Sequence, residues 1–254
     1  MQFQVLGSAG CIGGGQRSSA FLVGQLILID AGSGLGALRQ AKLEKINHVF
    51  VSHSHIDHVA LLPLLCDATL EHRREPVTVH GTAATLEALS THIFNWHISP
   101  DFRVLPSVKK PTLRFSTLLP GEPVRVDGCV ITAIPVEHAI PTVAFHVASA
   151  TGSLVVATDM GISDGFWPIV NKIENLRYLL IEVSFQNARI ELCRAAGHLC
   201  PSLLEQELSR LGQSAEVCIV HVKPTAMVEV KKEVAALDIG RSLRFLVDGD
   251  ILEV

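Results

Sequence analysis

No basic run occurs anywhere in the 254-residue sequence: lysine and arginine gather no further than the pairs Arg73-Arg74, Lys109-Lys110 and Lys231-Lys232. With a formal net charge of −4, the chain lacks the continuous basic face that an extended nucleic-acid groove requires. Long apolar runs are missing too. The longest, Ala20 to Ala31, is broken by Gly24, Gln25 and Asp30, far short of the ~18–20 residues of a membrane span. The N-terminal segment Met1-Gln2-Phe3-Gln4-Val5-Leu6 has no basic region ahead of an apolar one and reads as a strand, so a cytoplasmic location is expected. The six cysteines form no CxxC pair, which points to buried thiols ahead of disulfides or a thiolate metal site. Charged residues are few, 18% against 48% apolar, and that balance excludes a disordered chain.

What the sequence does have is histidine, twelve in all, and one stretch concentrates them. Val51-Ser52-His53-Ser54-His55-Ile56-Asp57-His58 places three imidazoles and one carboxylate in six consecutive positions, between an apolar run and a helical pattern. Imidazole and carboxylate are ligands for borderline divalent metals, and four such groups make poor core material unless something pairs them. His53 and His55 are two apart in extended chain and project to one side, while Asp57 and His58 turn back from the helix start. Four ligands from one loop can therefore divide between two neighbouring metals.

The rest of the chain reads as an α/β fold. Alternating or short apolar runs predict strands at 2–6, 20–23, 26–29, 48–51, 76–80, 112–115, 124–126, 129–136, 142–148, 153–157, 177–181, 217–220, 243–247 and 251–254. Helical spacing covers 35–43, 59–74, 82–90, 162–173, 188–196, 201–211 and 227–237. Residues 92–106 lack periodicity and read as an irregular excursion. The glycine-rich segment 7–15 opens no helix, so it is no dinucleotide fingerprint; it suits either close approach of backbone to another group or a plain turn. Two mixed sheets between layers of helix, an αββα sandwich, account for this order, and no linker divides residues 1–254 into more than one domain.

Three further metal-type side chains stand at the carboxyl ends of predicted strands, where open α/β sheets place their sites: His138, Asp159 and His221. This ordered pattern resembles the metallo-β-lactamase superfamily of binuclear metallohydrolases, along nearly the whole chain. The resemblance implies one metal held by His53, His55 and His138, a second by Asp57, His58 and His221, and Asp159 bridging both. Two divalent cations would activate a bridging water to a hydroxide near pH 7, with Asp57 near enough to orient it. Imidazole and carboxylate suit zinc first, with manganese or iron as options. His198, in Gly197-His198-Leu199 ahead of a predicted helix, is either the group that stabilises or protonates the leaving side or an ordinary residue at the helix N-terminus.

Within that superfamily, His53–Leu64, Gly197–Leu208, Val220–Pro224 and Phe94–Phe102 are similar to segments of class II cyclic-nucleotide phosphodiesterases. The sequence departs from that signature at Ala60 and Cys66-Asp67. The resemblance implies hydrolysis of 3′,5′-cyclic nucleotides such as cAMP or cGMP to 5′-monophosphates, with Phe94, Trp96 and Phe102 covering the base by stacking or else packing in the core. A tRNA 3′-processing-like endoribonuclease is the alternative, for which the chain offers no basic arm. A non-hydrolytic di-iron redox or sensing protein is a third. A small-molecule substrate and an apolar-rich surface suited to a homodimer complete the expectations about partners.

Overall fold

The computed structural model describes all residues, Met1–Val254. Two seven-stranded sheets face each other. The first runs, in spatial order, Ile251–Glu253, Gln2–Gly7, Ala20–Val23, Ile27–Ile29, His48–Phe50, Val77–Gly81, Leu113–Thr117. The second runs Leu243–Phe245, Glu216–Val220, Leu176–Glu182, Ser153–Ala157, Thr142–Ala148, Cys129–Val136, Pro123–Val126. Both are mixed. In the first, Ile27–Ile29 through Leu113–Thr117 pair in parallel. In the second, Ser153–Ala157 through Leu243–Phe245 do so, and the remaining neighbours are antiparallel.

Helices cover the outer faces, so the central strands, such as Ala20–Val23, Ile27–Ile29 and Ser153–Ala157, are buried on both sides. This explains why they read as near-continuous apolar runs. Phe3, Val5, Phe21, Ile27, Ile29 and Phe50 point inward against Phe145, Leu154, Val156, Leu180 and Val220 of the facing sheet. The alternate residues Leu22, Leu28, Val49 and Val51 point outward, beneath the helix Leu62–Thr69. Val155, Leu179, Ile181, Val217 and Ile219 do the same on the other side, under Ile190–Ala196, Pro201–Leu208 and Met227–Ala235. No helix is long and apolar enough to cross a membrane.

Several local expectations change. The pattern over 35–43 splits into a tight turn, Ser33–Ala37, and the short helix Gln40–Leu43. The expected helix over 162–173 shrinks to Trp167–Val170. Its first residues are claimed by loop hydrogen bonds: Ser163 N donates to Glu207 Oε2, and Ser163 Oγ accepts from Glu137 N. Pro63 lies in the first helical turn, where its missing N–H costs nothing. Phe94 and Phe102 are 1% and 2% exposed and pack edge-to-face in the outer core of the first sheet. Neither offers a face to a base. Trp96, 61% exposed, is the one aromatic of the three with a free ring.

Candidate metal centre

Every group singled out at a strand end lies along one edge of the sandwich. His53 follows His48–Phe50, His138 follows Cys129–Val136, Asp159 follows Ser153–Ala157, and His221 follows Glu216–Val220. The last two strands flank Leu176–Glu182 in parallel, so their carboxyl ends come out together.

There the donors form two sets around the histidine loop, and Asp159, His198 and His221 make a third close group. His53, His55, His138 and Asp159 bring one ligand atom each within 4.8 Å of one another, as do Asp57, His58 and His221. Asp159 faces both. Its Oδ2 lies 3.4 Å from His53 Nε2 and 3.5 Å from His138 Nε2, and its Oδ1 lies 2.9 Å from His221 Nε2 and 3.5 Å from His58 Nε2. Asp57 Oδ2 closes the second set, 3.3 Å from His221 Nε2 and 3.7 Å from His58 Nε2.

The far nitrogens are anchored, and this decides which lone pairs face inward. Ser52 Oγ donates to Asp30 Oδ2, 2.9 Å, so it accepts from His53 Nδ1, 3.0 Å. His58 Nδ1 donates to Asp30 Oδ2 at 2.7 Å, and His138 Nδ1 to the Gly197 carbonyl at 2.7 Å. His221 Nδ1 donates to Ser184 Oγ at 3.0 Å. His55 is the exception, turning Nδ1 inward to 3.3 Å from His138 Nε2. Asp30 and Glu182 escape a reading of motifs because each is a single carboxylate. The available signal is an acid closing an apolar strand, Leu28-Ile29-Asp30 and Leu180-Ile181-Glu182.

Does this set fit a metal? His53 Nε2 is buried and finds no hydrogen-bond partner, and Asp159 Oδ1, although 2.9 Å from His221 Nε2, makes no well-aligned hydrogen bond. A buried polar atom left unpaired is costly, and here the unpaired atoms converge with lone pairs from their neighbours. Divalent cations accept such lone pairs, so the residues fit.

The electrostatics agree. Burial pulls His58 down, but the Asp159 and Asp30 carboxylates reverse this and hold it well above the ordinary imidazole range. Burial also opposes protonation of His221, yet Asp159 and then Asp57 lift it to about 9. Burial would raise Asp159, and His221 and His58 hold it well below the carboxylate range instead. Burial and the neighbouring His58 drop His53 to about 4, leaving its Nε2 lone pair free. Protons on His58 and His221 thus supply the positive charge that the carboxylates demand.

His198 stands beside this cage, its ring 4.9 Å from that of His138. Its Nδ1 donates to Glu182 Oε1 at 2.7 Å. Glu182 is fully buried and also accepts from the backbone N–H of Met160, Ser184 and Leu199. One carboxylate therefore joins the loops that carry Asp159, His198 and the Ser184 support of His221. Burial lowers His198, but Glu182 more than offsets it, and the net shift is upward. His198 and His138 border a cleft of about 360 Å³ whose wall includes Gly161, Ile162 and Arg194.

Two features fix the close packing around the cage. A Cβ on Gly10 would lie 2.5 Å from the His221 carbonyl oxygen, so the glycine-rich segment serves the approach of backbone to another chain segment. His221 itself sits at φ 61°, as Asp30 does at φ 55°, strained positions held by their surroundings.

A family model described as a beta-lactamase superfamily domain matches residues 25–228. The chain belongs to the metallo-β-lactamase superfamily. Among superfamily relatives, a "Probable 3′,5′-cyclic-nucleotide phosphodiesterase" of Yersinia pestis is 26% identical over 72% of this chain and 58% of its own length. A 3′,5′-cyclic-nucleotide phosphodiesterase of Aliivibrio fischeri is 27% identical over 83% of this chain and 71% of its own. A ribonuclease Z of Methanosarcina mazei is 30% identical over 50% of this chain and 40% of its own. The chain thus matches a little over half the length of the first of these relatives and about two fifths of the third. In structure, unliganded yeast PDE1 superposes with a TM-score of 0.83 at 17% identity, covering 100% of this chain and 99% of that one. The metallo-beta-lactamase fold protein YhfI of Bacillus subtilis gives 0.80 at 20% identity, with 99% of each chain covered. At these identities the superpositions establish the fold alone.

Proposed function

We propose that the chain is a binuclear metal-dependent phosphodiesterase acting on 3′,5′-cyclic nucleotides. One observation carries the reading of two metals: the oxygens of Asp159 part, Oδ2 towards His53 and His138, Oδ1 towards His58 and His221. His53, His55 and His138 would hold one cation, Asp57, His58 and His221 the other, and Asp159 both. Zinc, manganese or iron suits these donors. Such a pair, when bound, lowers the pKa of water towards neutrality and neutralises charge on a phosphoryl group.

The chain's own residues do the remainder. Asp57, 22% exposed at its side chain, reaches the mouth of the cage and can hold the attacking water through its free oxygen. His198, whose contact with Glu182 favours the protonated ring, would present Nε2–H as a general acid. Hydrolysis to a 5′-monophosphate breaks the P–O3′ bond, so the Nε2 proton goes to O3′ as it leaves. Arg194 lines the adjoining cleft and offers a cation to phosphate. The cleft, about 360 Å³, falls at the small end of the roughly 300–1,000 Å³ range of ligand pockets.

Two relatives named for cyclic-nucleotide hydrolysis, matched along 72% and 83% of this chain, support that substrate. The ribonuclease Z relatives keep RNA processing as the second reading, on a shorter match. Metal-loaded protein assayed on cAMP, cGMP, bis(p-nitrophenyl) phosphate and a precursor tRNA separates the two. Turnover of a cyclic nucleotide is expected. Cleavage of the generic diester or the tRNA with neither cyclic nucleotide touched would sink the proposal.

A further inference from the structure

Two of the three basic pairs that looked isolated in the sequence meet in the fold. Arg73-Arg74 follows the helix Leu62–Thr69, and Lys109-Lys110 lies on the two-stranded hairpin Pro106–Ser107 with Lys110–Pro111. With Arg114 they line one cleft of about 460 Å³, where Glu75 is the sole acidic member. Arg73 is committed to the fold, donating from Nε to Thr69 Oγ1 at 2.8 Å and from its terminal nitrogen to the Leu43 and Ile46 carbonyls. Arg74, Lys109, Lys110 and Arg114 are exposed. The ion pairs of lysine and arginine in this molecule all lie elsewhere.

Four exposed cations converging on one concavity with a single carboxylate, Glu75, among them repel one another, and in a chain of net charge −4 nothing in composition enforces it. An anion removes that cost. The lining holds no aromatic ring, so it gives no stacking platform for bases; arginine and lysine side chains suit phosphate. The cleft is also remote from the cage. Arg74 and Lys110 lead into Val77–Gly81 and Leu113–Thr117, strands parallel to His48–Phe50, so they stand at the amino-terminal edge of the sheet. The histidine loop stands at the carboxyl-terminal edge, a strand length of about 16 Å away at ~3.3 Å per residue.

We infer that this cleft binds a compact polyanion carrying two or more phosphate groups, at a site separate from the His/Asp cage. Inorganic polyphosphate and the phosphate chain of a nucleotide share the chemistry. The test is calorimetric titration of the full chain with tripolyphosphate at an ionic strength of about 0.15 M. Wild-type protein should bind one equivalent, and the double variant Lys109→Glu/Arg114→Glu should bind about tenfold more weakly or worse. Its turnover of a generic diester should be unchanged, which confirms folding. Binding should survive Asp159→Ala, and that arm distinguishes this cleft from the cage whatever the cage hydrolyses.

A parallel titration with ATP identifies the source. Affinity equal to tripolyphosphate assigns the site to the phosphate chain alone, and higher affinity with the same loss in the double variant assigns it to a nucleotide. Binding that is lost in Asp159→Ala but kept in the double variant overturns the inference. So does the absence of binding to wild type. A single-stranded oligoribonucleotide that binds far more tightly than tripolyphosphate, with the same variant sensitivity, would make the cleft part of an RNA track and overturn the compact ligand.

Discussion

Asp159 is the residue on which the cage turns, because each of its oxygens serves a different set of imidazoles. Asp159→Ala should remove bound metal, read by elemental analysis, and lower kcat/KM by roughly 10³ or more, the several kcal/mol that a metal site supplies to a developing charge. Proton counting gives a second prediction. His58 and His221 carry protons in the metal-free protein, His221 up to about pH 9. A metal must displace them, so apparent metal affinity should rise with pH towards 9. Calorimetry in buffers of different ionisation enthalpy should record proton release. Since His221 is raised from 6.5 in the unfolded chain to about 9 in the fold, its contribution to metal-free stability is complete below pH 6.5 and lost as pH climbs through 9. A metal-free melting temperature that rises over that interval would contradict this.

In the proposed reaction Glu182 would act through His198, which it contacts at Nδ1. Replacing it with glutamine keeps the shape and removes the charge that overrides burial. The expected outcome is a loss of about 10–100-fold in kcat/KM, with the alkaline limb of the pH profile moved to lower pH, because His198 then gives up its proton earlier. A fall in rate with an unmoved limb would make Glu182 merely structural.

Elements matter through their ends. The candidate donors stand at the carboxyl-terminal ends of the strands and not along them. Gly10 belongs to a loop that abuts the backbone of His221, and a methyl group there meets the His221 carbonyl at 2.5 Å. Gly10→Ala should therefore lower stability by about 1–3 kcal/mol, visible as a lower denaturation midpoint, and should weaken metal binding as His221 shifts. The same scale shows where sequence patterns mislead. The apolar spacing across 162–173 resembles a helix, but Ser163 is tied to Glu207 and Glu137 by hydrogen bonds from other elements, and only Trp167–Val170 coils. Phe94 and Phe102 illustrate the same limit. An aromatic's composition does not say whether its ring faces solvent or the core, and the helix and strands around them decide for the core.

At the scale of the molecule, the two sheets supply the frame and the edge between them supplies the site. Metals held in the proposed cage would tie strands of both sheets together in the folded state alone. A chelator should lower the melting temperature by about 10 °C, from a loss near 4 kcal/mol when metal stands at ~1,000 times its Kd, with recovery on re-addition. A melting curve indifferent to chelation would count against a cage that spans the sheets.

The sequence by itself determined the inventory of candidate donors. His53, His55, Asp57 and His58 sit within one loop, and His138, Asp159 and His221 each end an apolar strand, so local spacing and strand periodicity were enough to find them. The tertiary structure alone decided their division. Which oxygen of Asp159 faces which imidazole, and the support given by Asp30, Ser52, Glu182 and Ser184, depend on contacts between segments far apart in the chain. The same holds for the joining of Arg73-Arg74 with Lys109-Lys110. Periodicity reports which face of an element is buried. It carries no information about which remote segment that face, or that end, will meet.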